Sequence, residues 1–361
     1  MMAYLAGRML VSVEAGAPNN GRSADTTARV KYATVRGRRH PYVSAQAVRR
    51  WIRDGMVRQG VPASPVTRVG KAQQRAQKAN TDADPITYPD DDLFGYMRAG
   101  AKKDDDATTL RDSPFMLGTL LSVTPAHPTE DFGVMARGVS EPVLHGHEFY
   151  SADLAAPFLL DLPRIGTFTL PNAHGVGRPN YLSQEAALQV ARAAALGAGA
   201  ESFRGQDSVR LPVAERRRRA ALLLESIAHL HGGAKQALHY GDRVPHVIVL
   251  VPFHGGVNPL THVITGDEEG LRIRGDVLRG ELEAWAGEWE APVRIGWRPG
   301  FRDDLRERFE KECAAEIADR TVVIGHPRTI LLELAAEMRD GTTLDHWFED
   351  PVREPVREPV R

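Results

Sequence analysis

Hydrophobic and polar positions change period several times along this chain, and each change marks an element. Residues 5–15 alternate: Met9, Val11, Val13 and Ala15 fall on one side, Arg8, Leu10, Ser12 and Glu14 on the other. That pattern predicts a strand with one buried face. Residues 29–35 alternate again, and Arg36-Gly37-Arg38 turns the chain. At 41–53, PYVSAQAVRRWIR, a short strand runs into a Ser44 helix cap and the period becomes helical. Ala45, Val48 and Ile52 form an apolar stripe; Gln46, Arg49, Arg50 and Arg53 fall opposite, and the helix ends near Gly55. Residues 60–110 are poor in apolar side chains and predict an extended or mobile insertion. Arg68, Lys71, Arg75 and Lys78 come first, then the acidic residues Asp82, Asp84, Asp90 to Asp92 and Asp104 to Asp106.

The sheet pattern returns at 115–123. Residues 125–165 read as loop-rich, 166–170 as a strand, 171–179 as a polar Gly-rich loop and 183–196 as an Ala-rich helix. Residues 213–230 are helical and are closed by Gly232 and Gly233. Residues 246–253, HVIVLVPF, predict a strand buried on both faces. The last hundred residues alternate helices at 281–288, 303–317 and 330–338 with strands at 293–297 and 321–324. Residues 350–361, DPVR-EPVR-EPVR, carry proline every fourth position, which forbids a helix and predicts a disordered tail.

The first 255 residues therefore run strand, helix, strand, strand, helix, strand. That is the split βαβ, ferredoxin-like or RRM-like order of an α+β fold. Insertions at about 60–110 and 171–212 hang from a core at 1–255; residues 256–349 form a C-terminal α/β extension and 350–361 the tail.

Composition sharpens this picture at one point. The 361 residues sum to a net charge of −1, yet residues 1–80 hold 15 Lys and Arg against only Glu14, Asp25 and Asp54. This is either a solvated basic face or a local grip for a polyanion. Cys313 is the only cysteine, so no disulfide and no cysteine-based zinc site forms within one chain. No apolar run reaches membrane-span length and no signal peptide opens the chain, so no membrane partner is expected and a cytoplasmic location is. Gly175-Val-Gly177 lacks the third glycine of a dinucleotide site, and no P-loop or nucleophile elbow is present. His145-Gly-His147 has metal-ligand spacing, but no further ligands complete it; a surface loop is the plainer reading. The acidic clusters could hold a divalent cation, could be solvated, or could belong to an insertion that meets a basic neighbour. No cofactor and no metal is expected.

For a polyanion, the candidate contacts are basic and backbone-directed. Arg49, Arg50 and Arg53 line one helix face, with Ser44 and Gln46 as neutral donors. Arg22, Arg29, Lys31, Arg68 and Lys71 add charge. Gly232 and Gly233 either allow close backbone approach or simply cap a helix, and Lys235 and Gln236 supply donors beside them. Arg216 to Arg219 cover most of a helical turn, so at least two are expected in solvent.

These segments resemble a known family. The strand at 5–15, Asn19-Asn20-Gly21, the basic strand and PYVSAQAVRRWIR are similar to the opening of CRISPR-associated RAMP-type proteins. DDDLFGYM at 90–97 resembles the insertion signature of the DevR branch, counted in the Cas-seven group. GGAKQALHYGDRVPHVIVLV at 232–251 is similar to that family's Gly-rich loop and following strand. The resemblance covers residues 3–255 and implies an RRM-like core with finger and thumb insertions. The thumb would lie at 172–181, with Tyr181 or Phe168 placed to stack on a base. It further implies a non-catalytic CRISPR RNA-binding backbone subunit of a type I-B Cascade. Its implied partners are CRISPR RNA, further copies of itself, a guide-end cap, a large subunit, a guide-processing endoribonuclease, and target DNA through the guide. Two alternatives stand beside it: a type III-like subunit cutting target RNA with a loop aspartate, for which Asp25 is the only acid in 19–28, and an autoregulatory nucleic-acid-binding protein.

Overall fold

The computed structural model describes residues 3–20, 27–69, 78–98, 109–135, 138, 141, 143–169, 193–194, 197–204 and 206–350. Its centre is β1, Ala3–Gly16, which pairs antiparallel with two strands distant in sequence. On one side Tyr4 faces Asp161 of β7, Val143–Asp161; on the other Ala3 faces His254 of β8, Val247–His254. Beyond β7 come β4, Phe115–Leu117, and β5, Leu120–Ser122. The order β8-β1-β7-β5 is fourth-first-third-second, the ferredoxin-like order expected from the sequence, but the third strand is β7 and not residues 166–170: Thr167–Thr169 pairs with Gln206–Arg210 in a separate sheet. The hairpin of β2, Tyr32–Val35, and β3, Arg38–Val43, continues the sheet past β5. Its turn places Arg36 and Gly37 at φ 48° and 76°. At the other edge β9, Val293–Trp297, adds antiparallel to β8, and β10, Val322–Gly325, adds parallel to β9. The C-terminal extension thus continues the same sheet.

Helices cover both sides. On one face α1, Ala45–Arg58, α3, Val213–Ala228, and α6, Pro327–Asp340, bury a core with Leu5, Met9, Val11 and Val13 of β1. On the other, α4, Gly275–Ala284, and α5, Asp303–Glu312, close over Ala6 and Leu10. Strand β1 is therefore buried on both faces, not one. Its remaining cation, Arg8, donates Nε to the Ile264 carbonyl at 2.8 Å. Strand β8 is buried on both faces as its unbroken apolar run predicts.

Two segments depart from expectation. Residues 125–165 are not loop-rich: β6, Thr129–Met135, forms a hairpin with the 19-residue β7. The inner half of β7 is buried on both faces, so it lacks alternation. Its outer half projects with β6, leaving Phe132, Val134, Met135 and Leu144 exposed. The acidic run is not solvated either. It forms α2, Pro89–Phe94, in which Asp90, Asp91 and Asp92 are all buried and Leu93 and Phe94 enter the main core. No described helix is long and apolar enough to cross a membrane.

Candidate nucleic-acid interface

The end of β1 delivers Pro18 to Asn20 to a junction of three segments. Asn19 donates Nδ2 to the Tyr42 carbonyl at 3.1 Å, and its own carbonyl accepts the Lys31 N–H at 3.2 Å. The Tyr42 N–H closes the set on the Lys31 carbonyl at 3.1 Å. Residues 28–30 are held next to this by β7: Ala28 exchanges backbone bonds with Gly146 and Glu148, each 3.0 Å, and Val30 N–H donates to the Glu148 carboxylate at 2.9 Å. The basic segment is thereby fixed by isolated bridges beside the first loop, with Arg29 exposed and Lys31 half-buried.

The Gly-rich loop after α3 packs against the same junction. Gly232, at φ 153°, lies on Trp51 of α1: a Cβ there would come within 2.4 Å of the indole. Gly233, at φ 106°, faces Pro18, whose carbonyl accepts the Ala234 N–H at 3.1 Å. Close approach to protein accounts for both glycines, and the helix itself ends earlier at a His229 cap. Gln236 closes the loop on itself, donating to the Gly232 carbonyl at 2.6 Å and accepting the Gly241 N–H at 3.3 Å. Lys235, at φ 54°, sits close enough to His147 to lower that imidazole's proton affinity, after burial as the main cause.

Arg29, Lys31, Gly232, Gly233 and Lys235 therefore converge, and three histidines join them: His145 and His147, which the sequence offers as a metal-ligand spacing, and His239, which it gives no reason to single out. The His239 ring lies 5.1 Å from His147 and 5.0 Å from Phe149, and His145 stacks 6.4 Å from His147. The spacing His145-x-His147 is strand alternation on β7, not a surface loop, and His147 is buried. Among the described residues no group of three His, Cys, Asp or Glu could hold a metal ion.

Helix α1 divides its candidates. Ser44 caps it, accepting the Ala47 N–H at 3.4 Å, and Gln46 is exposed. Arg50 lies outermost, paired with Asp54 at 2.8 Å. Arg49 and Arg53 do not stand free for a ligand. Arg49 donates to the Phe115 carbonyl at 3.0 Å, and Arg53 pairs with buried Asp90 at 2.7 Å while lying 5.2 Å over the Phe94 ring. Arg68 is exposed on a separate hairpin, Val66–Val69 with Lys78–Thr81. Arg22, Lys71, Asp25, Asp104 to Asp106 and the segment 172–181 with Tyr181 lie outside the described residues. Phe168 is core, packed with Ile86 and Val209.

The arginine run of α3 also turns inward. Arg216, Arg217 and Arg219 are buried and only Arg218 is half-exposed. Arg219 bonds Asp92 at 2.7 Å, Arg217 pairs with Asp345 at 3.2 Å, and Arg216 donates to the Phe348 carbonyl at 2.5 Å. Acids and carbonyls of the insertion and the C-terminus, not phosphates, meet these cations.

No protein-family model matches the sequence, and neither does any curated protein. The fold does match solved structures. One chain titled "CRISPR RNA-guided surveillance complex, pre-nicking" aligns over 92% of this chain and 99% of its own, at TM-score 0.56 and 12% identity. The fold is one used in CRISPR RNA-guided surveillance complexes. A second such chain covers 86% of this one at TM-score 0.48 and 13% identity. At this identity the likeness speaks for architecture, and it spans the C-terminal extension as well as the ferredoxin-like core.

Proposed function

We propose that this chain is a CRISPR RNA-binding backbone subunit of a type I Cascade, of the I-B type, with no catalytic activity of its own. Further copies would follow one another along the guide, joined by the other Cascade subunits, and the guide would pair with target DNA. The observation that carries this reading is the convergence of Pro18 to Asn20, Arg29, Lys31, Gly233 and Lys235 on one junction. Cations on backbone-anchored segments beside loop backbone suit phosphate and 2′-hydroxyl contacts, which serve any guide sequence. The surveillance-complex fold supports the same reading.

Co-expression with a CRISPR array and sequencing of the co-purified RNA tests it. Repeat-spacer RNA of defined length is expected; bulk cellular RNA or none overturns the reading. Guide-loaded protein incubated with complementary RNA and Mg²⁺ is expected to leave the RNA whole. Cuts at regular spacing would replace the proposal with the RNA-cleaving alternative.

A further inference from the structure

A cavity of about 430 Å³ opens where the end of β1 meets residues 240–243 and the 298–301 turn. Its polar groups are unevenly satisfied. Arg298 and Asp242 pair through two contacts of 3.1 Å and largely neutralise each other. Glu14 lines the cavity, is exposed, and has no hydrogen bond or ion pair among the described residues. Arg243 is 2% exposed and donates Nη1 to the Asp242 carbonyl at 2.8 Å, but its Nε has no partner among the described residues. Nε itself is closed off from the cavity, but a guanidinium buried with so few partners favours an acceptor in the space that the residue lines.

The other lining groups are flat and aromatic. His246 stacks on Phe301 with centroids 4.9 Å apart, and its Nδ1 accepts the Ser12 N–H at 3.1 Å. Burial, then Arg298, lowers its proton affinity, and with Nδ1 accepting, the neutral ring carries its proton on Nε2. Tyr240 stands at the mouth, 79% exposed. An unpaired carboxylate, an unpaired guanidinium nitrogen and aromatic faces match a planar heterocycle with donors and an acceptor along one edge.

We propose that this cavity is a guanine site. Glu14 accepts from the base N1–H and N2–H₂, Arg243 donates to O6, and Tyr240 stacks on the ring. No bond is made or broken. The inference deepens the nucleic-acid reading and rests on it only where the base belongs to a bound strand.

The experiment titrates the purified full chain with GMP, IMP and UMP, and separately with a short oligouridylate and the same strand carrying one guanosine. IMP lacks the 2-amino group that Glu14 would bind. GMP is expected to bind about tenfold more tightly than IMP, with UMP weaker still, the ratio one charged hydrogen bond supplies. Glu14→Gln, at an exposed position that the fold tolerates, is expected to remove the GMP-over-IMP ratio. Tyr240→Ala is expected to weaken GMP. A guanosine preference in the oligonucleotide as well identifies a base of the bound strand; a preference for GMP alone identifies the free nucleotide. Equal binding of GMP, IMP and UMP, or a GMP preference that survives Glu14→Gln, overturns the proposal. Protein that selects GMP but binds no RNA refutes the proposed function and leaves the guanine site standing.

Discussion

Asp92 sits where no water reaches, and two guanidiniums answer its charge. Arg111 and Arg219 both bond its carboxylate, and the Gly166 N–H adds a third contact at 3.0 Å. Removing one partner of such a set strands the others, so Asp92→Asn is expected to cost on the order of 3–5 kcal/mol in urea unfolding. A loss within experimental error would mean that the pair is compensated elsewhere. The neighbouring Asp91 behaves differently: burial pushes its carboxyl up to about 6. Its folded pKa lies above the unfolded value, so the folded state holds the proton more tightly. Stability from this group is full below the unfolded value and is lost as pH rises from about 4 to about 6. Asp91→Asn should therefore gain on the wild type across that window, by on the order of 3 kcal/mol, and hold the gain at neutral pH; a gap independent of pH would contradict this. The three acids were legible as a motif and not as a structure. Arg111 lies 19 residues from Asp92 and Arg219 lies 127, so the run looks solvated until the chain is folded.

Local elements carry the next set of outcomes. The Gly-rich loop depends on having no Cβ at Gly232, where Trp51 already fills the space. Gly232→Ala is expected to cost roughly 1–3 kcal/mol and to loosen the loop from α1, read as lower melting temperature and weaker RNA retention together. Lys235→Gln should separate the two effects: unchanged melting, with the slope of log affinity against log salt reduced by about one unit for every RNA sequence. Charge reversal at Arg53 should do the opposite and mainly destabilise, since it places a carboxylate against buried Asp90. The strands at 41–43, 246–253 and 293–297 were readable because period or β-branching marks them. Strand β7 was not: its inner half is buried on both faces, and its outer half sets exposed Leu144 beside buried Gly146 and His147, so no apolar alternation marks it. The convergence of the Pro18 loop with the Gly-rich loop was unreadable, since Ala234 meets Pro18 across more than two hundred residues.

Across the whole molecule the two ends of the chain share one sheet and one core. Leu331 and Leu334 of α6 pack with α3 over β1, so a chain ending at residue 255 leaves that face uncovered. Such a truncation is expected to be insoluble, and a soluble monomer with a cooperative melt would show the extension to be dispensable. The C-terminus is fastened as well. Glu349 pairs with Arg216 at 3.4 Å and Arg210 at 3.5 Å, and Asp350 accepts the Arg204 N–H at 2.8 Å. Deleting residues 351–361 should leave melting unchanged, whereas deleting 349–361 should lower it by a few degrees, the shift that about 1 kcal/mol produces at this size.

The placement of β1 has a consequence for how the protein is made. Strand β1 leaves the ribosome before either of its partners, Val143–Asp161 and Val247–His254, and becomes the middle of the sheet. At about 5–20 residues per second, the second partner is synthesised roughly ten to fifty seconds later. Until Asp161 is made a long apolar strand waits with both edges open, and until His254 with one, which makes the nascent chain a natural client for holding chaperones. Slowing translation in the first half should cost yield, and slowing it after residue 254 should not.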